Sequence, residues 1–117
     1  MKEFILCAAI WYQDGKKHND QPENIDNGFV ICGRRHNNCY SVIEALSKHD
    51  KNIRLSVDKI ENSMTDEQYK KHHGFITSMD RYVDRKEAYE IAKLNDQIKF
   101  VKDSSDEYKI LISESLY

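Results

Sequence analysis

The longest apolar run of the chain lies near its beginning, at residues 3–13. Its apolar side chains fall on both sides of the two-residue alternation, which is the pattern of a strand covered on both faces. A second apolar run, at residues 28–33, is bracketed by glycines, and we expect it to pair antiparallel with the first. The polar residues 16–27 between them contain the only proline, which predicts an exposed loop.

Helical spacing of apolar residues occurs in two later stretches. From residue 39 to about residue 48 the apolar positions repeat every three or four residues, and Asn37 or Asn38 is a suitable cap. The second helix is predicted to follow Asp84, whose carboxylate can cap it, with Glu87 three places further on as in a capping box. The sequence therefore predicts two main helices.

The remaining elements are shorter. Residues 52–60 alternate in a way that predicts a third strand, and a capping box predicts a short helix over 65–72. Residues 74–78 predict a strand followed by a bend at 79–82, and residues 108–113 predict a final strand. Strands and helices interleave after an initial hairpin, so we expect a single α+β domain over residues 1–117, in which a small antiparallel sheet packs with the two main helices.

Charge argues against one class of partner. The chain has 18 Lys and Arg residues against 20 Asp and Glu residues, and its pI is about 6.2. A protein that follows a DNA or RNA backbone needs a basic excess, so long nucleic acid is not an expected ligand. A small phosphorylated ligand needs only two or three arginines and is compatible with this balance. At 117 residues, association into a homo-oligomer is expected to add buried area.

The three cysteines form an odd set, so a disulfide framework is not expected. Cys7 and Cys32 lie in apolar, strand-like runs, where thiols act as small hydrophobic groups. Residues 4–11 are too few to span a bilayer, and the first residues lack the shape of a signal peptide. We therefore expect a cytosolic chain without membrane contact.

Arginines cluster at two predicted chain reversals. Arg34, Arg35 and His36 lie between a strand and a helix start, while Arg81 and Arg85 surround the second bend. Guanidinium groups grip phosphate oxygens in pairs, and a helix start adds unpaired N–H groups. Both reversals are therefore predicted anion sites, and the alternative is that the arginines are solvated or paired with neighbouring carboxylates.

Aromatic residues near these reversals have two possible uses. Phe75 and Tyr82 are candidates for stacking on a nucleotide base, and packing in the core is the alternative for both. Thr77 is a weaker polar candidate. The predicted ligand-binding set is Arg34, Arg35, His36, Phe75, Thr77, Arg81, Tyr82 and Arg85.

Metal binding and catalysis find weaker support. Cys32, His36, Cys39 and His49 have irregular spacing for a zinc site, and Cys39 falls on the apolar stripe of a predicted helix. Cys39 with His36, or the adjacent histidines at 72–73, are the best nucleophile and acid–base candidates, but no known catalytic motif surrounds them. We therefore predict no metal, no cofactor and no catalytic residue.

Four segments carry a family resemblance: AAIWY at 8–12, GRRHNNCY at 33–40, GFITSMDRYVDRKEAYEIA at 74–92 and ISESLY at 112–117. In these segments the chain resembles phage Thoeris anti-defence sponge proteins of the first-described family. The chain departs from that family in its polar insert at 16–27, and in LNDQ at 94–97, where a small residue and glycine are expected.

The resemblance implies a non-enzymatic, oligomeric α+β protein in the cytoplasm of the infected bacterium. Such a dimer, or assembly of dimers, would hold glyco-cyclic ADP-ribose, the messenger of Thoeris immunity, in recessed pockets between subunits without degrading it. The resemblance also implies separate sites for small cyclic oligonucleotides. The alternatives are a small nucleotide-processing enzyme and a protein-interaction module that inhibits a host factor.

Overall fold

The computed structural model describes residues 2–99 and 109–116. A central strand, β1, pairs antiparallel with β2 on one side and with β3 on the other, and β4 completes the sheet in the order β2-β1-β3-β4. The elements in chain order are β1 (Ile5–Tyr12), β2 (Phe29–Gly33), α1 (His36–His49), α2 (Lys51–Ser63), α3 (Asp66–His72), β3 (His73–Thr77), β4 (Tyr82–Asp84), α4 (Arg85–Leu94) and a 3-10 turn (Ser113–Ser115). The predicted α+β class and antiparallel sheet are confirmed.

The two faces of the sheet are covered differently. On the helix face, side chains from all four strands pack with α1, α2 and α4 in the main core. On the open face, Ala9, Trp11 and Tyr82 form a second, smaller cluster with partly buried neighbours from β2, β3 and the loop after β1. Residues 8–12 of β1 are buried on both faces, as their apolar pattern predicts.

The predicted third strand at 52–60 is wrong, because this stretch lies within α2. Ile53, Val57 and Ile60 follow helical spacing and pack against the core, whereas Leu55 is 66% exposed. Asp50 caps the helix by accepting a hydrogen bond from the backbone N–H of Asn52 at 2.8 Å. The alternating residues 53, 55 and 57 predicted a strand, but the residues that pack on the core are 53, 57 and 60, which have helical spacing.

Two further expectations need correction. Tyr82 belongs to the short strand β4 and not to the bend, which is confined to a tight reversal with Asp80 in the left-handed region at φ 56°. The described part of the predicted final strand, residues 109–113, forms no strand and leads into the 3-10 turn, while Tyr108 lies outside the described residues. The helix cap predicted at Asn37 or Asn38 is Arg35 instead.

The polar insert at residues 16–27, called the strap segment below, spans the open face. Asn24 accepts a hydrogen bond from the backbone N–H of Tyr82 at 2.8 Å and donates to the carbonyl of the same residue at 2.6 Å. Gln21 accepts from the backbone N–H of Val30 at 2.9 Å, and Trp11 Nε1 donates to a strap carbonyl. The strap segment is therefore fastened at both outer strands of the sheet.

The end of α4 explains the departure at 94–97. The N–H of Gln97 donates to the carbonyl of Ala92 and that of Asp96 to Lys93, which is the hydrogen-bond pattern of a Schellman ending. Asp96 occupies the left-handed position at φ 53°, where glycine is favoured. The Gln97 side chain then bonds both backbone groups of Ile5 at 2.8 Å, so this ending also fixes the start of β1.

None of the helices within residues 2–99 and 109–116 combines the length and the apolar character that spanning a membrane requires.

Replacing Asp96 tests this ending. We expect Asp96→Gly to raise the free energy of unfolding by about 0.5–1 kcal/mol, because glycine adopts the left-handed conformation without steric cost. Asp96→Ala should lower it by about 1 kcal/mol for the opposite reason. Urea unfolding followed by circular dichroism measures both, and a shift of both variants in the same direction would contradict the assignment.

Candidate functional site

The strand register brings the two predicted reversals to the same level of the sheet. Gly33, at the end of β2, lies opposite Ala8 of β1. On the other side of β1, Ala9 lies opposite Gly74 of β3, and Gly74 lies opposite Asp84, at the end of β4. Helices α1 and α4 begin immediately after these two strand ends and pack on the same face. Two helix starts, each carrying arginine, therefore lie at the same level on one face of the sheet, above its two outer strands.

His36, the first residue of α1, reaches across toward β3. Its Nε2 donates to the carbonyl of Gly74 at 2.9 Å, and its ring lies edge-on to Phe75, with centroids 5.2 Å apart. Burial lowers the pKa of His36, and the positive charge of Arg85 acts in the same direction. The ring is therefore a neutral hydrogen-bonding group at neutral pH.

The sequence prediction missed a hydroxyl–imidazole pair beside His36. The hydroxyl of Tyr40 contacts Nε2 of His73 at 2.6 Å, and Tyr40 lies one helical turn after His36. Burial, followed by the charge of Arg85, lowers the pKa of His73 to about 3, and burial also raises the pKa of Tyr40. The tyrosine is therefore the donor and the imidazole the acceptor. The four-residue spacing of His36 and Tyr40 was the available signal.

Arg85 supplies the positive charge of this cluster. Its Nε is buried, and within residues 2–99 and 109–116 no hydrogen-bond acceptor contacts that atom. The C-terminal segment runs beside both helix starts, because the N–H of Leu111 donates to the carbonyl of Arg85 at 2.9 Å and Ser113 Oγ accepts from the N–H of His36 at 3.4 Å. We call His36, Tyr40, His73 and Arg85 the convergence cluster.

The structure places the other predicted residues as follows. Arg34 is exposed and Arg35 is half-buried at the cap of α1, next to the convergence cluster. Phe75 is fully buried beneath His36. Tyr82 is buried on the opposite, open face, where its hydroxyl donates to the carbonyls of α3 residues. Both rings pack in the core, which is the alternative use considered for them. Their stacking on a base stays a prediction.

Thr77 and Arg81 form a separate group at the other end of β3. Arg81 makes two hydrogen bonds to the carboxylate of Glu3, at 2.8 and 2.9 Å, and one to Glu87 at 2.8 Å. Thr77 also donates to Glu3, at 2.6 Å. These hydrogen bonds, from Arg81 first, lower the pKa of Glu3. The pairing that we considered as the alternative for the arginines is thus present at Arg81, although with Glu3 and Glu87.

Two clefts of the described chain lie away from the convergence cluster. A cleft of about 340 Å³ lies between the strap segment and α4, lined by Trp11, Asn24, Tyr82 and Glu87 among others. Another, of about 330 Å³, lies beside α2 and includes Lys16 and Lys59. No group of three His, Cys, Asp or Glu side chains suited to a metal ion occurs among the described residues.

Comparison with known proteins places the chain in a family. A family model described as Phage T4 y16D protein matches residues 4–117. The match covers nearly the whole chain, so this is a phage protein, and it belongs to the Phage T4 y16D protein family. No curated protein and no solved structure matches the chain.

The Arg81 network predicts a contribution to stability. We expect Arg81→Ala to lower the free energy of unfolding by about 1 kcal/mol, since it removes three charge-assisted hydrogen bonds from a half-exposed site. Arg54→Ala is the matched control, because Arg54 makes a single exposed contact of 3.9 Å with Asp58. Urea unfolding that shows equal stability for the two variants would contradict a structural role for Arg81.

The buried histidines predict acid sensitivity. The pKa values of His36, His72 and His73 are lowered in the folded chain, mainly by burial. Below pH 6.5 the unfolded chain therefore binds more protons than the folded chain, and stability falls as the pH falls. One histidine kept neutral contributes up to about 1.4 kcal/mol per pH unit, less where the ring is partly exposed.

We expect the Tm at pH 5.5 to lie roughly 4–10 °C below that at pH 7.5. In His72→Asn this difference should shrink, because the amide can still donate to the carbonyl of Trp11, which His72 Nδ1 contacts at 2.9 Å, but does not titrate. His49→Asn, at the exposed end of α1, is the control. Scanning calorimetry that gives the same pH dependence for His72→Asn and the native chain would contradict this account.

Proposed function

We propose that this phage protein is an anti-defence sponge that binds glyco-cyclic ADP-ribose and sequesters it without degrading it. The observation that carries the proposal is that Arg35, His36 and Arg85, from two helix starts, lie at the same level on one face of the sheet. The resemblance noted from the sequence supports the proposal, and membership in a phage family is compatible with it.

The convergence cluster has the properties of a site for a compact diphosphate. The helix starts follow β2 and β4, which are three strand spacings or roughly 14–15 Å apart, so a diphosphate would contact one positive dipole end and the side chains that reach toward it from the other. Arg85 adds a charge whose buried Nε lacks an acceptor among the described residues. Because the neighbouring histidines are neutral, the arginines carry the positive charge that a phosphate would neutralise.

The sugar and base would find different partners. Tyr40 is 39% exposed and lies at the rim of the cluster, so it is better placed than buried Phe75 for contact with a ligand. Val42 and Leu46, about 40% exposed on the outer side of α1, extend this rim with apolar surface. We infer that a second copy of the chain packs on α1 and completes a recessed pocket around the ligand.

The Tyr40–His73 pair favours one alternative function. A hydroxyl held 2.6 Å from an imidazole can relay a proton, so a small nucleotide-processing enzyme is the second candidate. A sponge returns its ligand unchanged, whereas an enzyme returns a product. The state of the recovered ligand therefore distinguishes the two functions.

Binding is tested by thermal shift with cyclic ADP-ribose isomers, linear ADP-ribose and cyclic di- and trinucleotides. We expect the largest rise in Tm with glyco-cyclic ADP-ribose. Arg35→Ala and Arg85→Ala should each weaken binding by roughly 10- to 100-fold, which corresponds to the loss of one charged hydrogen bond. Arg54→Ala, which removes the same charge on α2, should bind like the native chain, and Arg81→Ala tests the separate group at the end of β3.

Ligand fate is tested on the same complex. The protein is loaded, washed, heated and removed, and the supernatant is analysed by chromatography and mass spectrometry. Intact glyco-cyclic ADP-ribose recovered in stoichiometric amount supports sequestration, and a linear or cleaved product supports the enzyme. Unchanged affinity in both Arg35→Ala and Arg85→Ala would remove the convergence cluster as the binding site.

A further inference from the structure

Two cysteines lie side by side on the open face of the sheet. Cys32 of β2 is opposite Ala9 of β1, and Cys7 is two residues before Ala9, so both thiols point to the same face as diagonal neighbours. Cys32 is exposed and Cys7 is half-buried. The sequence indicated only that both cysteines lie in strand-like runs, and the antiparallel register brings them together.

The two thiols are close enough to influence each other's ionisation. A hydrogen bond from Cys7 lowers the pKa of Cys32 to about 7, and the same hydrogen bond raises the pKa of Cys7. Of the two thiols, Cys32 is therefore the one that ionises more readily, and the thiolate is the nucleophilic form. The more acidic thiol is thus also the exposed one, and its diagonal neighbour is a second cysteine.

Cys39 provides an internal comparison. It is fully buried on the helix face, where its Sγ lies 3.5 Å from the carbonyl of Arg35, and burial raises its pKa to about 11. A buried, protonated thiol is unreactive toward oxidants. The chain thus contains one exposed reactive thiol with a neighbour and one protected thiol.

We propose that Cys7 and Cys32 are an oxidative modification site that forms a reversible cross-strand disulfide in the presence of a hydroperoxide. The Cys32 thiolate attacks the peroxide, the O–O bond breaks, and Cys32 becomes a sulfenic acid while one oxygen leaves as water or alcohol. The sulfur of Cys7 then attacks the Cys32 sulfur and the S–O bond breaks. The hydroxide leaves with the Cys7 proton as water, so two thiols lose two electrons and the peroxide gains them.

The diagonal placement makes this disulfide readily reducible. Diagonal neighbours in a sheet are about 7–8 Å apart at Cα, beyond the usual limit of a disulfide near 6.8 Å, so closing the bond requires a small shift of the strands. A strained and exposed disulfide has a more oxidising potential than a structural one and is reduced by cellular thiols. The site therefore responds to oxidants without committing the fold to a permanent crosslink.

The test uses the full chain and hydrogen peroxide at pH 7.5. We expect the intact mass of the monomer to fall by about 2 Da, as two hydrogens are lost, and to return after dithiothreitol. Tryptic cleavage separates the three cysteines into peptides 3–16, 18–34 and 36–48. The oxidised sample should contain 3–16 linked to 18–34, while 36–48 remains a free thiol.

Single variants assign the roles. Cys7→Ser should retain a sulfenic acid on Cys32 that dimedone traps, and Cys32→Ser should react at least tenfold more slowly with peroxide. Cys39→Ala, if it folds, should behave like the native chain, and the peptide map of the native chain answers the question if it does not. The proposal is overturned by sulfinic acid on Cys32 with Cys7 still free, by a disulfide containing Cys39, or by linkage only between chains.

Discussion

The rest of the structure depends on β1, which is buried on both faces and paired along both edges. Its small residue Ala8 lies opposite Gly33, and an added Cβ at Gly33 would lie only 3.2 Å from Cys39 Sγ, so α1 sits close to the sheet here. The start of β1 is fixed by the Gln97 side chain, and its end by the His72 ring on the carbonyl of Trp11. Elements distant in sequence thus take their positions from one strand.

This arrangement explains how charge is distributed locally in a chain with net charge −2. The carboxylates of Glu3 and Glu87 are engaged with Arg81 at one end of β3, while the convergence cluster at the other end contains neutral rings and the charge of Arg85. The separation is local and depends on which residues the register places together. Overall composition therefore does not determine the charge of a local group of side chains.

Local signals in the sequence predict much of the fold. The alternation of β1, the capping box of α3 and the Asp84 cap of α4 each involve residues within a few positions of one another, and all three are confirmed. Helix α2 was mistaken for a strand because Ile53 and Val57 satisfy both periods, and β4 is too short for any period to show. The candidate side chains depend on contacts between residues far apart in sequence. Arg81 bonds to Glu3, 78 residues away, and His36 bonds to Gly74, 38 residues away. Such partners are set by strand register, which neither composition nor local spacing reveals.

The strap segment has a consequence for how the protein behaves when abundant. Outer strands of an open sheet normally leave a row of unpaired backbone groups that can recruit another extended chain. Here Gln21 occupies the N–H of Val30 on one margin, and Asn24 occupies both backbone groups of Tyr82 on the other. An insert that looks like a tolerated surface loop thus leaves fewer backbone groups free for another strand at both margins.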